Sequence, residues 1–189
     1  MRVIAGKFRS RPLHSLRGME LRPTADRLRE TLFNVLAAGN AAAFAGTVWL
    51  DLCAGTGAVG IEALSRGAAK VYFVDSSAPA AGLIHRNLRS LGLEAGFEVL
   101  KEEVTRALPK LEARDVTADF IFLDPPYRME KIYQRTLQVL SRSQLLKPHT
   151  LVVAEHEKRF DPGDGFPPLY RYRRLQQGDA ILSFYHVDR

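Results

Sequence analysis

Short apolar runs alternate with longer amphipathic stretches from residue 47 to residue 154 of the chain. The runs are rich in Val, Phe and Leu, and the stretches between them place apolar residues at helical spacing. The predicted strands are 48–50, 71–74, 97–100, 120–123 and 151–154, and the predicted helices are 58–66, 78–91, 103–111 and 129–141. This alternation predicts an α/β fold in which helices cover both faces of a mostly parallel sheet.

The N-terminal segment departs from this alternation. Residues 2–21 hold short apolar pieces broken by glycine and proline, which predicts a small β-hairpin extension. A helix is predicted to follow, with Thr24 as its cap and Gly39 at its end. We therefore divide the chain into an N-terminal extension, 1–39, and a main domain, 40–189.

The C-terminal segment also departs from the alternation. The apolar runs 169–175 and 180–187 are joined by the tripeptide Gln-Gly-Asp at 177–179, which predicts an antiparallel hairpin. The preceding segment, 161–168, is rich in glycine and proline and is predicted to be a long turn. The hairpin is expected to extend one edge of the parallel sheet.

The chain of 189 residues has a net charge of +6, and the basic excess is concentrated near its N-terminus. Residues 1–39 contain eight Lys or Arg residues and three acidic residues. Such a concentration is typical of a surface that binds a polyanion, nucleic acid above all, although charge alone fits a solvated surface equally well. The candidate RNA-binding residues are Lys7, Arg9, Arg11, Arg22, Arg27 and Arg29.

The cysteine count and the lengths of the apolar runs bear on disulfides, metal sites and membrane insertion. Cys53 is the single cysteine, so no intramolecular disulfide is possible, and no Cys/His cluster suggests a metal site. No apolar run reaches the roughly 18 to 20 residues that a membrane helix needs, and the first residues are too polar for a secretory signal. We expect one monomeric cytoplasmic protein that holds no metal and does not span a membrane.

A glycine-rich loop follows the first predicted strand and opens a predicted helix. Its glycines allow a tight turn beside a ligand, and the helix start offers free N–H groups. Asp75, at the end of the second strand, is placed to accept hydrogen bonds from ribose hydroxyls. The candidate cofactor residues of the loop are Asp51, Ala54, Gly55, Thr56 and Gly57.

The glycine spacing alone fits a nicotinamide dinucleotide as well as S-adenosylmethionine, or a turn without any ligand. Asp51 favours S-adenosylmethionine, because it precedes the first glycine and could meet the amino group of a methionine moiety. The chain also lacks the residues for a second, hydride-accepting domain. S-Adenosylmethionine is therefore the predicted cofactor.

The tetrapeptide Asp124-Pro125-Pro126-Tyr127 follows the fourth predicted strand. An exocyclic base amine is a poor nucleophile because its lone pair is delocalised into the ring. The Asp124 carboxylate and the Pro125 carbonyl could each accept one N–H and so orient the lone pair. The prolines would stiffen this arrangement, and Tyr127 offers a face for an unstacked base. The plainer alternative is a strand end with Tyr127 in the core.

The chain resembles the RsmD-type 16S ribosomal RNA (guanine-N2)-methyltransferases over nearly its whole length. The resemblance lies in the blocks 2–7, 21–24, 27–33, 50–57 and 123–127. It implies a seven-stranded Rossmann-like methyltransferase fold, S-adenosylmethionine as methyl donor, and a guanine of small-subunit rRNA, free or in an assembly particle, as target. It also implies that the loop holds the methionine part of the cofactor, Asp75 the ribose, and residues 124–127 the base.

Two positions depart from that family. Cys53 stands where Phe is more usual, and Glu103 stands where an Asp beside the cofactor adenine is more usual. The first is expected to change packing only. The second leaves the adenine contact open between Glu102 and Glu103, with Glu103 as the candidate.

Three other functions remain open at this point. A nicotinamide oxidoreductase would use the glycine loop but gives residues 124–127 no function. A non-catalytic RNA-binding module would use the basic segment but leaves the loop unexplained. An amino-methyltransferase for adenine in DNA shares the tetrapeptide, although the chain is short for a separate target-recognition domain.

Overall fold

The computed structural model describes residues 1–15, 23–40, 42–126 and 128–188. The helices are α1 (Pro23–Ala37), α2 (Ala58–Ser65), α3 (Ala78–Ser90), α4 (Val104–Glu112) and α5 (Glu130–Leu140). The strands are β1 (Val48–Leu52), β2 (Lys70–Val74), β3 (Phe97–Leu100), β4 (Ala118–Leu123), β5 (Leu146–Glu157), β6 (Gly165–Phe166), β7 (Leu169–Gln177) and β8 (Ala180–Val187). Each predicted strand and helix is present, with small shifts at most ends.

The strands form one sheet in the order β3-β2-β1-β4-β5-β8-β7-β6. The first five strands in this order are parallel, and β8, β7 and β6 add antiparallel pairs. The chain order reverses between β1 and β4, whose last residues Leu52 and Leu123 are partners. In open α/β sheets ligands bind where the strand order reverses, outside the carboxyl ends of the strands.

The predicted fold class, including the C-terminal antiparallel hairpin, is confirmed, but the strand number is corrected from seven to eight. The extra strand is β6, which pairs Gly165 with Tyr170 and Phe166 with Leu169. Two residues carry no periodic pattern, and glycine and proline surround them, so the sequence predicted only a turn there. Strand β5 is also longer than predicted, and its last residues become part of the candidate site.

Apolar residues fill both faces of the sheet. On one face, α1 packs its Phe33 ring against Trp49 of β1, with ring centroids 5.2 Å apart, and Trp49 stacks on Phe120 of β4. On the other face, α4 and α5 bury leucines against β1, β4 and β5. Burial of apolar residues on both faces of the sheet is the arrangement that the alternating apolar runs predicted.

The N-terminal extension is docked on α2. Its two arms pair at a single antiparallel bridge, between Arg2 and Pro12, rather than along a regular hairpin. The turn between them lies so close to α2 that a Cβ at Gly6, where φ is +81°, would be 1.9 Å from the Ser65 carbonyl oxygen. The buried Glu62 carboxylate of α2 accepts N–H groups from Ile4 at 2.7 Å and Ala5 at 2.9 Å. The division at residue 39 stays a prediction.

Candidate active site

The loop between β1 and α2 makes its turn with left-handed backbone at three positions. Cys53, Gly55 and Gly57 have φ values of 61°, 54° and 75°. The Gly57 N–H donates to the Ala54 carbonyl at 2.7 Å and closes the turn before α2 begins. A Cβ added at Gly55 would meet only the Cys53 carbonyl oxygen, at 4.0 Å, so the space above this part of the loop is open to a ligand.

Gly60, in the first turn of α2, lets this helix lie close to the sheet. A Cβ at Gly60 would be 2.3 Å from the Phe73 ring and 2.7 Å from Val71, so only glycine fits there. The Gly60 N–H donates to the Asp51 carboxylate at 2.8 Å. The same glycine therefore sets the helix against β2 and orients the acidic side chain of β1.

Asp51 is 2% exposed. Burial raises the pKa of its carboxyl from 3.8 to about 7, the Gly60 N–H opposes that rise, and the nearby Asp75 charge adds to it. A buried carboxylate with a raised pKa gains stability from any further donor or cation that approaches it. The geometry thus fits the expected contact with an amino group.

Asp75 organises the loop from the end of β2. Its two carboxylate oxygens accept N–H groups from Gly55 at 2.9 Å and from Ser77 at 2.8 Å. Each carboxylate oxygen has a second lone pair, so both can still accept from hydroxyl groups. Thr56 is buried, and its carbonyl accepts an N–H from the Asn87 side chain of α3 at 2.9 Å, which fixes the middle of the loop.

Asp124 begins the segment after β4, one strand along the edge from the loop. Its N–H donates to the Leu52 carbonyl at 3.2 Å, so the two segments that carry predicted site residues are directly joined. Burial, the Glu155 charge and the Asp51 charge, in that order, hold the pKa of the Asp124 carboxyl well above its usual range. Pro125 is buried and Pro126 exposed, while Tyr127 lies outside the described residues.

Glu155 is a further candidate site residue, which the sequence interpretation missed. Leu123 of β4 is the partner of Ala154 of β5, so Asp124 and Glu155 are next to each other on parallel neighbours. Tyr133 of α5 ties the two strand ends together, since its hydroxyl lies 2.7 Å from the Glu155 carbonyl and 3.2 Å from the Pro125 carbonyl. Glu155 directly follows the predicted strand 151–154, so the rule that found Asp75 and Asp124 could have found it.

Cys53 lies among the carboxylates of the site. Burial raises the pKa of its thiol to about 12, and the charges of Asp75, Asp124 and Asp51 contribute to the rise. A thiol with so high a pKa stays protonated and is a weak nucleophile at neutral pH. Cys53 therefore fills space between the strand ends.

The two acids before α4 differ in their surroundings. The Glu102 carboxylate is paired with the Lys110 ammonium group. Glu103, at the helix start, is exposed and makes no capping hydrogen bond. Because the Glu102 charge is already engaged, Glu103 remains the candidate for a contact with the cofactor adenine.

Four of the predicted RNA-binding side chains are exposed: Lys7, Arg9, Arg11 and Arg27. Arg11 also donates to the Ser90 carbonyl at 2.9 Å, which anchors its arm on α3. Arg22 lies outside the described residues. The exposed four stay candidates for an RNA-binding face.

The structure corrects the prediction that Arg29 belongs to the RNA-binding residues. Arg29 is 5% exposed, donates to the Arg2 carbonyl and to Asp26 at 3.1 Å, and its Nε lies 3.8 Å from the Glu62 carboxylate. Burial lowers the pKa of its guanidinium group. The charge faces the interior because α1 covers the N-terminal arm, so Arg29 holds the extension in place and is not available to RNA.

The described ranges contain neither a metal-binding cluster nor a membrane-spanning helix. Among residues 1–15, 23–40, 42–126 and 128–188, no group of three or more His, Cys, Asp or Glu side chains could hold a metal ion. None of the helices within those ranges is both long and apolar enough to cross a bilayer.

Comparison with known proteins gives one family over almost the whole chain. The family described as "Conserved hypothetical protein 95" matches residues 1–186. The YlbH protein of Bacillus subtilis is 37% identical over 185 residues, covering 98% of each chain. Ribosomal RNA small subunit methyltransferase D of Haemophilus influenzae is 34% identical over 158 residues, covering 84% of this chain and 79% of its own.

Solved structures share the fold. The yhhF protein of Escherichia coli superposes with a TM-score of 0.81 at 28% identity, covering 100% of this chain and 98% of its own. The protein SMU.776, solved in complex with SAH, gives a TM-score of 0.68 at 18% identity over 88% of this chain and 50% of its own. A SAM-dependent methyltransferase of Agrobacterium tumefaciens gives 0.63 at 18% identity, covering 94% of this chain and 66% of its own.

Proposed function

The chain belongs to the family described as "Conserved hypothetical protein 95", which confirms the resemblance that its sequence blocks indicated, and from this we propose its function. The protein transfers a methyl group from S-adenosylmethionine to the exocyclic N2 amine of a guanine in small-subunit ribosomal RNA. The observation that carries the proposal is the position of Asp124, which follows β4 at the reversal of strand order and whose backbone N–H donates to the Leu52 carbonyl at the end of β1, next to the glycine loop. Relatives named ribosomal RNA small subunit methyltransferase D support the choice of substrate.

The loop fits the proposed cofactor. Asp75 offers free lone pairs for two ribose hydroxyls, and Asp51 gains a partner for its buried carboxylate when an amino group approaches. The open space above Gly55 lets a ligand lie against the loop backbone. The SAH complex of SMU.776, a protein of the same fold, supports this choice. When bound, S-adenosylmethionine supplies an electrophilic methyl group whose carbon–sulfur bond breaks as the nitrogen–carbon bond forms.

The chain's own part in the reaction is to hold the amine. The Asp124 carboxylate accepts one N–H, and the Pro125 carbonyl, which has two lone pairs, accepts another beside its contact with Tyr133. The two acceptors turn the nitrogen lone pair out of the ring plane and toward the methyl group. Transfer leaves a cationic nitrogen, which loses its extra proton to water only after the nitrogen–carbon bond has formed, so Asp124 acts during attack as a hydrogen-bond acceptor and not as a general base.

Two neighbouring carboxylates favour guanine over adenine. The donors at the Watson–Crick edge of guanine are the N1–H and the N2 amine, whereas adenine presents a lone pair at N1. Asp124 and Glu155 are both acceptors when ionised, and they are cross-strand neighbours. Each carboxylate has several lone pairs, so a guanine could donate one N–H to each of them beside their existing contacts, while adenine would face one of them with a second acceptor. We therefore place adenine in DNA or in another RNA as the alternative substrate.

Mass spectrometry of the methylated product tests this proposal. The protein is incubated with isotopically labelled S-adenosylmethionine and three acceptors, namely naked small-subunit rRNA, assembled small subunits and duplex DNA, and the nucleosides are analysed. We expect labelled N2-methylguanosine from one of the two ribosomal acceptors and far less of it, at equal reaction time, from the Asp124→Ala variant. Label in methyladenosine, or label only in DNA, would contradict the proposed substrate.

A further inference from the structure

Strand β7 exposes tyrosine side chains to solvent, and these side chains have no part in the proposed reaction. Tyr170 is 40% exposed and Tyr172 is 48% exposed. Within the described residues, only Met129 joins them as a large hydrophobic side chain with comparable exposure. Tyrosine is on average intermediate in burial and a single exposed ring is ordinary, but two exposed rings on one strand form an aromatic patch that can receive a partner.

The strand geometry brings these rings onto one face of the sheet. Tyr170 is the partner of His186 on β8, and the register shifts between Arg171 and Arg173, which leaves Tyr172 as the extra residue of a bulge. The Tyr172 ring lies 5.2 Å from the His186 ring and 6.2 Å from the Phe184 ring, measured between centroids. Both tyrosines therefore stand beside His186, on the face that also carries Phe184.

The same strand is positively charged. It contains three arginines and no acidic residue. Arg171 is paired with Asp161 and Asp164, whereas Arg174 is 46% exposed and has one pair, at 3.7 Å. The Arg173 guanidinium lies 5.9 Å from the centroid of the Phe184 ring, on the tyrosine face. A charged arginine thus borders the exposed rings.

Protection of the sheet edge explains only part of this arrangement. Beyond its two-residue pair with β6, strand β7 is an edge strand, and exposed arginines hinder another strand from pairing with it. Charged side chains alone provide that protection, so it does not explain why aromatic rings are exposed on this strand. Flat rings next to arginines are the surface on which unpaired RNA bases stack, while the arginine meets the phosphates.

We propose that Tyr170, Tyr172, Arg173 and His186, which we call the β7 strip, bind unpaired bases of the substrate RNA outside the active site. The proposal rests on the proposed function for the choice of RNA. On β5, Leu151 pairs with His186 and Glu155 pairs with Leu182, so the strip and the catalytic edge are separated by four strand residues. Four residues span about 14 Å, so the strip holds nucleotides near the target base and not the target itself.

A paired set of ring variants tests the strip. Binding of fluorescently labelled single-stranded RNA is measured by anisotropy for the parent, Tyr170→Ala, Tyr172→Ala, Tyr170→Phe and Tyr172→Phe. We expect each Ala variant to lose at least about fivefold in affinity, because base stacking on a ring is lost, while the Phe variants bind like the parent. Thermal unfolding and calorimetric titration with S-adenosylmethionine should give parental values for all four, because the strip lies away from the glycine loop.

Salt dependence tests the arginine separately. Arg173→Gln should flatten the plot of the logarithm of affinity against that of salt concentration by about 0.7 unit, the value for one phosphate contact on a single strand. Parental affinity in both Ala variants would overturn the proposal, and so would an equal loss in the Phe and Ala variants. This binding test is independent of methyl transfer. If the parent protein methylates no RNA but the Ala variants still lose affinity for RNA, the β7 strip is supported and the proposed function is rejected.

Discussion

At the end of β2, Asp75 receives N–H groups from Gly55 and Ser77, whereas two strands away Asp124 receives none from the described residues and faces Glu155 instead. Both are carboxylates at the carboxyl edge of one sheet. The first is held by fixed donors from two loops, and the second is partly buried beside like charge. A carboxylate with no donor among the described residues is stabilised by a ligand that brings N–H groups, so the proposed function assigns the cofactor to the Asp75 end and the target base to the Asp124 end.

Asp51 lies between these two ends and has one donor, and it gives the largest expected effect. Its folded-state pKa is raised from 3.8 to about 7, so its contribution to stability is present below pH 3.8 and is lost as the pH rises through 7. Asp51→Asn keeps an oxygen for the Gly60 N–H and removes the charge. We expect it to raise the free energy of unfolding at pH 8 by up to about 4 kcal/mol, measured by urea denaturation.

The matched control for this stability measurement is Asp115→Asn, at an exposed position. It should leave the pH dependence of stability like that of the parent. The Asp51 variant should at the same time bind S-adenosylmethionine more weakly, because the amino group loses its charged partner. Equal stability of the Asp51 variant and the parent at pH 8 would show that the buried carboxylate is not destabilising.

Asp75→Ala is expected to have the next largest effect. It removes the acceptor of two backbone N–H groups and of the ribose hydroxyls, so affinity for S-adenosylmethionine should fall by about 1.5 to 3 kcal/mol. Calorimetric titration measures the change, and circular dichroism checks that the fold is intact. Glu102→Ala is the control, because Glu102 is engaged by Lys110 and should leave cofactor affinity unchanged. An unchanged dissociation constant for the Asp75 variant would remove the ribose site from this position.

Glu155→Gln gives the smallest expected effect and tests the target-base end. Removing a like charge beside Asp124 lowers the pKa of the Asp124 carboxyl toward its usual range. If methyl transfer needs ionised Asp124, the acid limb of the pH–rate profile moves to lower pH in this variant. Glu157→Gln, two residues further along β5, is the control and should keep the parental profile. A parental profile in the Glu155 variant would mean that the two carboxylates do not interact during the reaction.

The contrast between the two ends was only partly visible in the sequence. The glycine loop, Asp75 and Asp124 were found because each directly follows an apolar strand, and that signal is local. Whether a carboxylate has donors depends on which loop residues turn toward it, as the Gly55 N–H turns toward Asp75. Such geometry follows from left-handed turns and strand register, which no residue pattern specifies.

The sequence also does not predict which residues become neighbours across the sheet. Glu155 becomes a neighbour of Asp124 through the pairing of β4 with β5, whose sequences are about 30 residues apart. Arg29 was assigned to RNA because it is charged and lies off the apolar stripe of its helix, but the docked N-terminal arm and Glu62 enclose it. In both cases tertiary packing decided the environment of the residue.

Single-turnover methyl transfer to small-subunit rRNA by the parent, Asp124→Asn and Asp124→Ala tests most directly whether Asp124 accepts an N–H from the target amine. The Ala variant should lose about 10²- to 10³-fold in rate while keeping its affinity for S-adenosylmethionine, because the lost interaction acts while the amine is held for attack. The Asn variant should be milder, since its oxygen still accepts a hydrogen bond, and an equal loss in both variants would instead indicate a general base. Near-parental rates in the Ala variant would contradict the assignment of Asp124 and the amine chemistry that rests on it.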